Sequence, residues 1–320
     1  MSNIGQTVDF GTDPVSISAC DHLEAALGCR QYWTKLTNIE PPRQKEHEMI
    51  KLATMTSVCP DWTLDEVIEG MKRNGYTGLE PRIGWGHASG IELEMSASDR
   101  ASLRGRFDKE GLEICCVATG AKFATADPGE LDKTIEEANA GIDLAGDLGA
   151  PYLRTFGGAR GGGEFNGIVH RTVEAYKRVM DHAAERNVTV LFETHDEWCV
   201  SAQVREVVER VSHPNLRVLW DLMHPARFME RPAETMATIG HLTAHLHAHD
   251  GLYETPEGRI TTVGLGEGTI DHGTPLRLLN EAGFDGYFSL EVIHAVGSDH
   301  DADGVLAQYA EAFKKITKGF

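Results

Sequence analysis

The nine residues Leu216-Arg217-Val218-Leu219-Trp220-Asp221-Leu222-Met223-His224 read as a buried strand with chemistry at its end. Arg217 aside, Leu216–Trp220 is short, β-branched and aromatic, and it follows the turn signal His213-Pro214-Asn215. An extended chain rises ~3.3 Å per residue, so Asp221 points into the space where the strand stops, and His224 falls on the loop beyond. Three more apolar runs end alike. Val188–Phe192 leads into Glu193-Thr194-His195, Leu242–Leu246 into His247-Ala248-His249-Asp250, and Gly286–Leu290 into Glu291. Carboxylates and imidazoles in one set, with no cysteine, suit a divalent metal of the Mn/Mg/Zn/Co type rather than a structural zinc.

Working outward, the chain from Ile50 alternates strand and helix. Strands are expected at 51–58, 78–82, 112–118 and 152–156, before the four already quoted. Helices are expected between them, among them Asp127–Leu148 and Ile168–Glu185. Eight apolar strands, each followed by a helix or long loop, call for a parallel sheet covered by helices. In about 270 residues this means an α/β fold, a closed (β/α)8 TIM barrel. The runner-up, an open doubly wound sheet, lacks GxGxxG after its first strand. A barrel brings all strand carboxyl ends to one mouth, so the four candidate sites share it. By the same logic Glu80, Trp85, His87, Lys122 and Arg154 could line the pocket, with barrel packing or surface exposure as the competing reading. Trp62 and Trp198 are candidates for an aromatic wall, and His272 reads as a solvated loop residue.

Residues 1–48 differ from the rest of the chain, with a linker-like Glu40-Pro41-Pro42-Arg43, and are expected to form an N-terminal arm beside a barrel over 49–320. The 320 residues carry a formal net charge of −19, which repels nucleic acid and acidic membranes and favours a small-molecule ligand. Six scattered cysteines without a CxxC, no apolar run of membrane-spanning length and no basic leader lead to the expectation of a cytoplasmic protein.

Glu193 after strand five, Asp221-x-x-His224, His247-x-His249-Asp250, Gly264-Leu265-Gly266-Glu267-Gly268-Thr269-Ile270-Asp271 and the strand ending in Glu291 resemble the xylose-isomerase-like TIM-barrel sugar isomerases and epimerases. That group holds D-tagatose 3-epimerase, hydroxypyruvate isomerase and inosose dehydratase. The resemblance implies one divalent metal, commonly Mn2+ with Mg2+, Co2+ or Zn2+ as alternatives, held by Glu193, Asp221, His247 and Glu291. It further implies that Glu193 and Glu291 pass protons on opposite faces of a sugar, and that His224 holds a substrate oxygen. His249 and Arg259 are further candidates for substrate contact, with Glu80 and Trp85. The arginine that some ketose epimerases place soon after the metal histidine is absent, and Arg259 comes later. His195, two residues beyond Glu193, resembles instead some dehydratases and the α subunits of C-glycoside deglycosidases. It is a candidate proton carrier. The implied activity is a metal-dependent keto-sugar isomerase or epimerase, with a lyase, dehydratase or C-glycoside deglycosidase subunit as alternative. A homo-oligomer, or a hetero-oligomer with a small subunit, is the expected assembly. An apurinic-type endonuclease shares the barrel, but would want a basic rim that the −19 charge denies.

Overall fold

The computed structural model describes residues 50–253 and 260–320. The expected arm, 1–48, and Arg259 lie outside the described residues. Parallel strands β1 (Lys51–Met55), β2 (Gly78–Glu80), β3 (Glu113–Ile114), β4 (Val117–Lys122), β5 (Tyr152–Phe156), β6 (Thr189–Glu193), β7 (Leu216–Asp221), β8 (Thr243–Ala248) and β11 (Tyr287–Leu290) form one sheet. Its order is β3-β2-β1-β11-β8-β7-β6-β5-β4. The two ends of that order are successive pieces of the expected third strand, interrupted at Cys115-Cys116. Cys115 N donates to Leu79 O and Ala118 N to Pro81 O, so the sheet closes on itself. The fold is a TIM barrel. A short antiparallel hairpin follows β8, pairing β9 (Asp250–Tyr253) with β10 (Ile260–Val263). The sequence pattern does not announce it.

Helices wrap the barrel where the sequence places them, with one more, Met223–Arg227, where His224 is expected on a loop, and their ends show why. Thr63 accepts from Glu66 N while the Glu66 carboxylate accepts from Thr63 N, a capping box that starts helix Leu64–Asn74. Gly75 ends it at φ +80°, a conformation that favours glycine. Asp127 caps Pro128–Leu148, its side chain accepting from Glu130 N. No helix among the described residues is long and apolar enough to cross a membrane. Cys59, Cys115, Cys116 and Cys199 are free and buried.

Strand alternation divides the side chains into two cores. Val190, Phe192, Val218, Trp220, Leu246, Phe288 and Leu290 face the helices. Ala53, Cys115, Cys116, Leu191, Leu219 and Tyr287 pack together inside the barrel as its floor. Two residues further along β6 and β7, on the same face, come Glu193 and Asp221. The polar site thus sits one layer above an apolar floor. Gly78 belongs to that floor's design: a Cβ there would stand 2.5 Å from the Tyr287 ring and 2.9 Å from Ala53 Cβ. Gly78→Ala is therefore expected to lower stability by roughly 1–3 kcal/mol, the usual range for overpacking. An unchanged urea midpoint would contradict that account.

Candidate metal centre

Glu193 ends β6, Asp221 ends β7, His247 stands one residue before the end of β8, and Glu291 follows β11. The registers Glu193↔Leu219, Asp221↔His247 and Ser289↔His247 hold these strand ends side by side. One donor atom from each of the four lies within 4.8 Å of the others. All four are buried. His247 Nδ1 is 3.1 Å from Glu193 Oε1 and 3.0 Å from Glu291 Oε2. Asp221 Oδ1 accepts from the backbone N–H groups of Met223 and His224 at 2.8 and 3.1 Å, which fixes the plane of the carboxylate.

The other oxygens decide what the cluster can hold. Glu193 Oε2, Asp221 Oδ2 and Glu291 Oε2 are buried without an aligned hydrogen-bond donor. Three carboxylates this close repel one another, and buried charge is costly unless paired or bound to a metal. Arg154 on β5 is the nearest fixed cation, with Nε 3.6 Å from Glu193 Oε2. Its Nε and Nη1 have no hydrogen-bond partner, so apart from this one guanidinium only imidazoles that take up protons can balance the three negative charges. Three hard oxygens and one imidazole nitrogen around a point suit a divalent cation. The residues fit the group.

Electrostatics point the same way. Burial alone would lower the His247 pKa, but Glu80, Glu291 and Glu193 outweigh it and hold the value well above the usual one. His249 stands with Nε2 2.7 Å from Asp221 Oδ2; burial would lower its pKa, yet the Asp221 charge raises it to about 9. A ligating imidazole must be neutral, so metal binding has to displace the proton on His247 Nδ1. Binding at pH 7 is thus expected to release protons, and affinity to climb with pH until it passes the raised pKa values. Titration calorimetry in two buffers of different ionisation enthalpy reads the proton count. A count of zero would mean that His247 is already neutral in the free protein.

Three histidines ring the mouth above Asp221. The His224 ring meets His195 edge-on at 4.4 Å and His249 at 5.5 Å. Burial pushes the His224 pKa down to about 4, so its imidazole is neutral at pH 7. His195 also leans on Phe156, ring centroids 4.7 Å apart, and its Nδ1 is 3.0 Å from Asp196 Oδ1. Asp196 holds φ +50°, unusual for a residue with a side chain. The backbone is turned so that this carboxylate reaches the ring. Burial would lower the His195 pKa, but Asp196 and the charges of Glu193 and Glu291 raise it.

Glu80 is not in the mouth. Its fully buried carboxylate accepts from His245 Nε2 and His247 Nε2 at 2.9 and 3.0 Å, beneath the four converging residues. Trp85 is on the loop after β2, 55% exposed, with its ring 3.7 Å from the Arg82 guanidinium. Trp198 is no aromatic wall: it is fully buried against Phe192. His272 is buried as well, with Nε2 donating to the His249 carbonyl. Asp250 explains its own motif and the glycine-rich stretch after it. Its two oxygens accept from the backbone of Gly251, Gly266, Gly268 and Ile270, and so clamp that loop beside the site.

A cavity of about 740 Å³ opens from Glu291 and His249, and Val263, Val292, Ile293 and Val305 form its apolar wall. Three of the polar residues that line it are engaged within the protein. Asp301 caps the last helix, Gln308 bonds both backbone groups of Leu265, and Tyr309 donates to Val263 O.

Residues 68–316 match the family model described as xylose isomerase-like TIM barrel. Among solved structures, a probable 3-DHS dehydratase, AsbF, from Bacillus anthracis superposes with a TM-score of 0.68 at 20% identity, covering 83% of this chain and 99% of that one. An L-ribulose 3-epimerase gives 0.68 at 17% identity, covering 84% and 94%. The IOLI protein, with a bound zinc atom, gives 0.72 at 19% identity, covering 83% and 98%. At these identities the likeness is one of fold. No curated protein matches the chain in sequence.

Proposed function

The chain belongs to the xylose isomerase-like TIM barrel family, and from that footing we propose that it is a divalent-metal-dependent isomerase or epimerase of a keto-sugar or related polyol. The observation that carries this reading is the convergence of three buried carboxylates with His247, each carboxylate keeping one oxygen without an aligned donor. Glu193, Asp221, His247 and Glu291 would hold the ion, with Mn2+ favoured by the oxygen-rich set and Mg2+, Co2+ or Zn2+ compatible with it. When bound, the ion supplies Lewis-acid polarisation of a carbonyl and its neighbouring hydroxyl.

The rest is done by the protein's own groups. A proton on the carbon beside a carbonyl must be taken by a base at roughly 3 Å and returned by an acid. Glu193 and Glu291 are the base and acid of this proposal. Neutral His224 is placed to hold a substrate oxygen by hydrogen bonding rather than by charge. His249, beside Asp221, would donate to a second.

The apolar wall favours a second reading. A free sugar presents hydroxyls to every side, whereas this cavity offers hydrocarbon just beyond Glu291. A substrate with an apolar substituent would cover it, and β-elimination of that substituent would use the same proton abstraction, with His249, which lines the cavity, or His195 as general acid.

The experiment is incubation of metal-loaded protein with keto-sugars and keto-glycosides in D2O, followed by NMR. Deuterium at carbon with the skeleton retained supports the isomerase or epimerase. Expulsion of the substituent moves the function to a lyase. Absence of both across the panel, with metal bound, would sink the proposal.

A further inference from the structure

We infer that Glu80 is a positioning residue for the metal centre, setting which nitrogen of His247 faces the ion. This rests on the proposed metal site but assigns a role to a residue that the proposal does not use. Strand β2 is three residues long, and Glu80 at its end pairs in register with Met55. From there the side chain crosses the barrel to β8, 167 residues away in sequence. It is fully buried, as are the two imidazoles it meets.

An ionised carboxylate only accepts hydrogen bonds, so both His245 and His247 must carry their hydrogen on Nε2. For His247 this leaves Nδ1 free to ligate, and Nδ1 is the atom that stands 3.1 Å from Glu193 Oε1 and 3.0 Å from Glu291 Oε2. The alternative tautomer would do the opposite. An Nδ1–H would donate to Glu193 Oε1 or Glu291 Oε2, capturing oxygens that the ion needs and offering it no lone pair. Glu80 opposes that internal bond. His245 completes the device: it lies two residues before His247, on the same strand face, and occupies Glu80 Oε2 while His247 occupies Oε1. With both oxygens engaged, the carboxylate cannot rotate away. Carboxylates behind metal-bound imidazoles typically tune affinity by ~10–100-fold.

A competing role exists for the same residues. Glu80, Cys116 and His245 have donor atoms within 4.8 Å of one another and could hold an ion of their own. Both oxygens of Glu80 are already engaged by imidazoles, which argues for positioning. Stoichiometry separates the two readings.

The test uses the full chain, stripped of metal and titrated with Co2+ against a chromophoric chelator, for wild type and Glu80→Gln. The expected result is one Co2+ per wild-type chain and a ~10–100-fold weaker affinity in the variant, with the metal-free melting transition retained. Equal affinities overturn the inference while leaving the metal reading intact. Two ions in wild type, falling to one of unchanged affinity in Glu80→Gln, overturn it in favour of a second site. A wild-type chain that binds no Co2+ removes the metal reading and this inference together. If Glu80→Gln fails to fold, wild type alone decides. Nitrogen-15 spectra of histidine-labelled, Zn2+-loaded protein should show His247 with hydrogen on Nε2 and metal on Nδ1, and the reverse assignment overturns the inference.

Discussion

Glu193→Gln and Glu291→Gln are each expected to abolish turnover, to below roughly a thousandth of the wild-type rate. Two losses combine in either variant. The amide is a poorer ligand than a carboxylate, so one of three negative charges facing the ion disappears. The proton carrier also goes, and that alone is worth about 10²–10⁴-fold. The two effects separate if metal content is measured beside the rate at saturating metal. Should the variant bind metal fully and still be inactive, the carboxylate is a proton carrier as well as a ligand. Should it bind metal fully and turn over normally, the centre is not where the reaction occurs. The neighbours differ, and so should the side effects. Glu193 loses an ion pair with Arg154 in the change, leaving a buried guanidinium uncompensated, whereas no arginine pairs with Glu291 among the described residues. Glu193→Gln should accordingly be the less stable of the two in the metal-free state.

The barrel was readable from the sequence because the strands are buried on both faces, and such strands are nearly continuous apolar runs. The convergence of Glu193, Asp221, His247 and Glu291 was readable for a simpler reason. In a parallel barrel every strand ends at the same mouth, so chemistry at successive strand ends must meet. What position along a strand does not reveal is direction. Glu80 also ends a strand, but β2 is only three residues long and too short to show alternation. Its side chain turns beneath the mouth to the histidines of β8, a pairing of residues 165 and 167 positions apart. Arg154 was visible as a charged residue inside a strand, yet its contact with Glu193 depends on neighbouring strand registers. The same limit hid the burial of Trp198 and His272, single residues whose surroundings come from other elements. Asp250 had a local signal, since an aspartate followed by a glycine-rich stretch often caps backbone N–H groups. That signal does not say which of the later N–H groups fold back to meet it.

If His195 carries a proton, as the elimination reading requires, His195→Ala is expected to lower the rate about 10²–10⁴-fold while metal stays bound. The structure separates His195 from the four converging residues: its Nδ1 pairs with Asp196, and its ring packs between Phe156 and His224. Removing it leaves every proposed ligand in place, so metal content should match wild type. With Nδ1 3.0 Å from the Asp196 carboxylate, the charge favours a hydrogen on that nitrogen, and the other is left to exchange a proton with substrate. The role of His195 fixes the sign of the pH effect, and the raised pKa places its midpoint above the ordinary histidine value. As the general acid of an elimination His195 must be protonated, so the rate should fall as pH rises through that pKa. As a general base it must be neutral, and the rate should rise instead. Asp196→Asn provides the graded control. It keeps the imidazole but weakens its partner, so the pH midpoint should move down towards the ordinary histidine value with a smaller loss of rate. A His195→Ala protein with full metal and full activity would return both proton transfers to Glu193 and Glu291. The apolar wall would then be a matter of substrate fit rather than of a departing group.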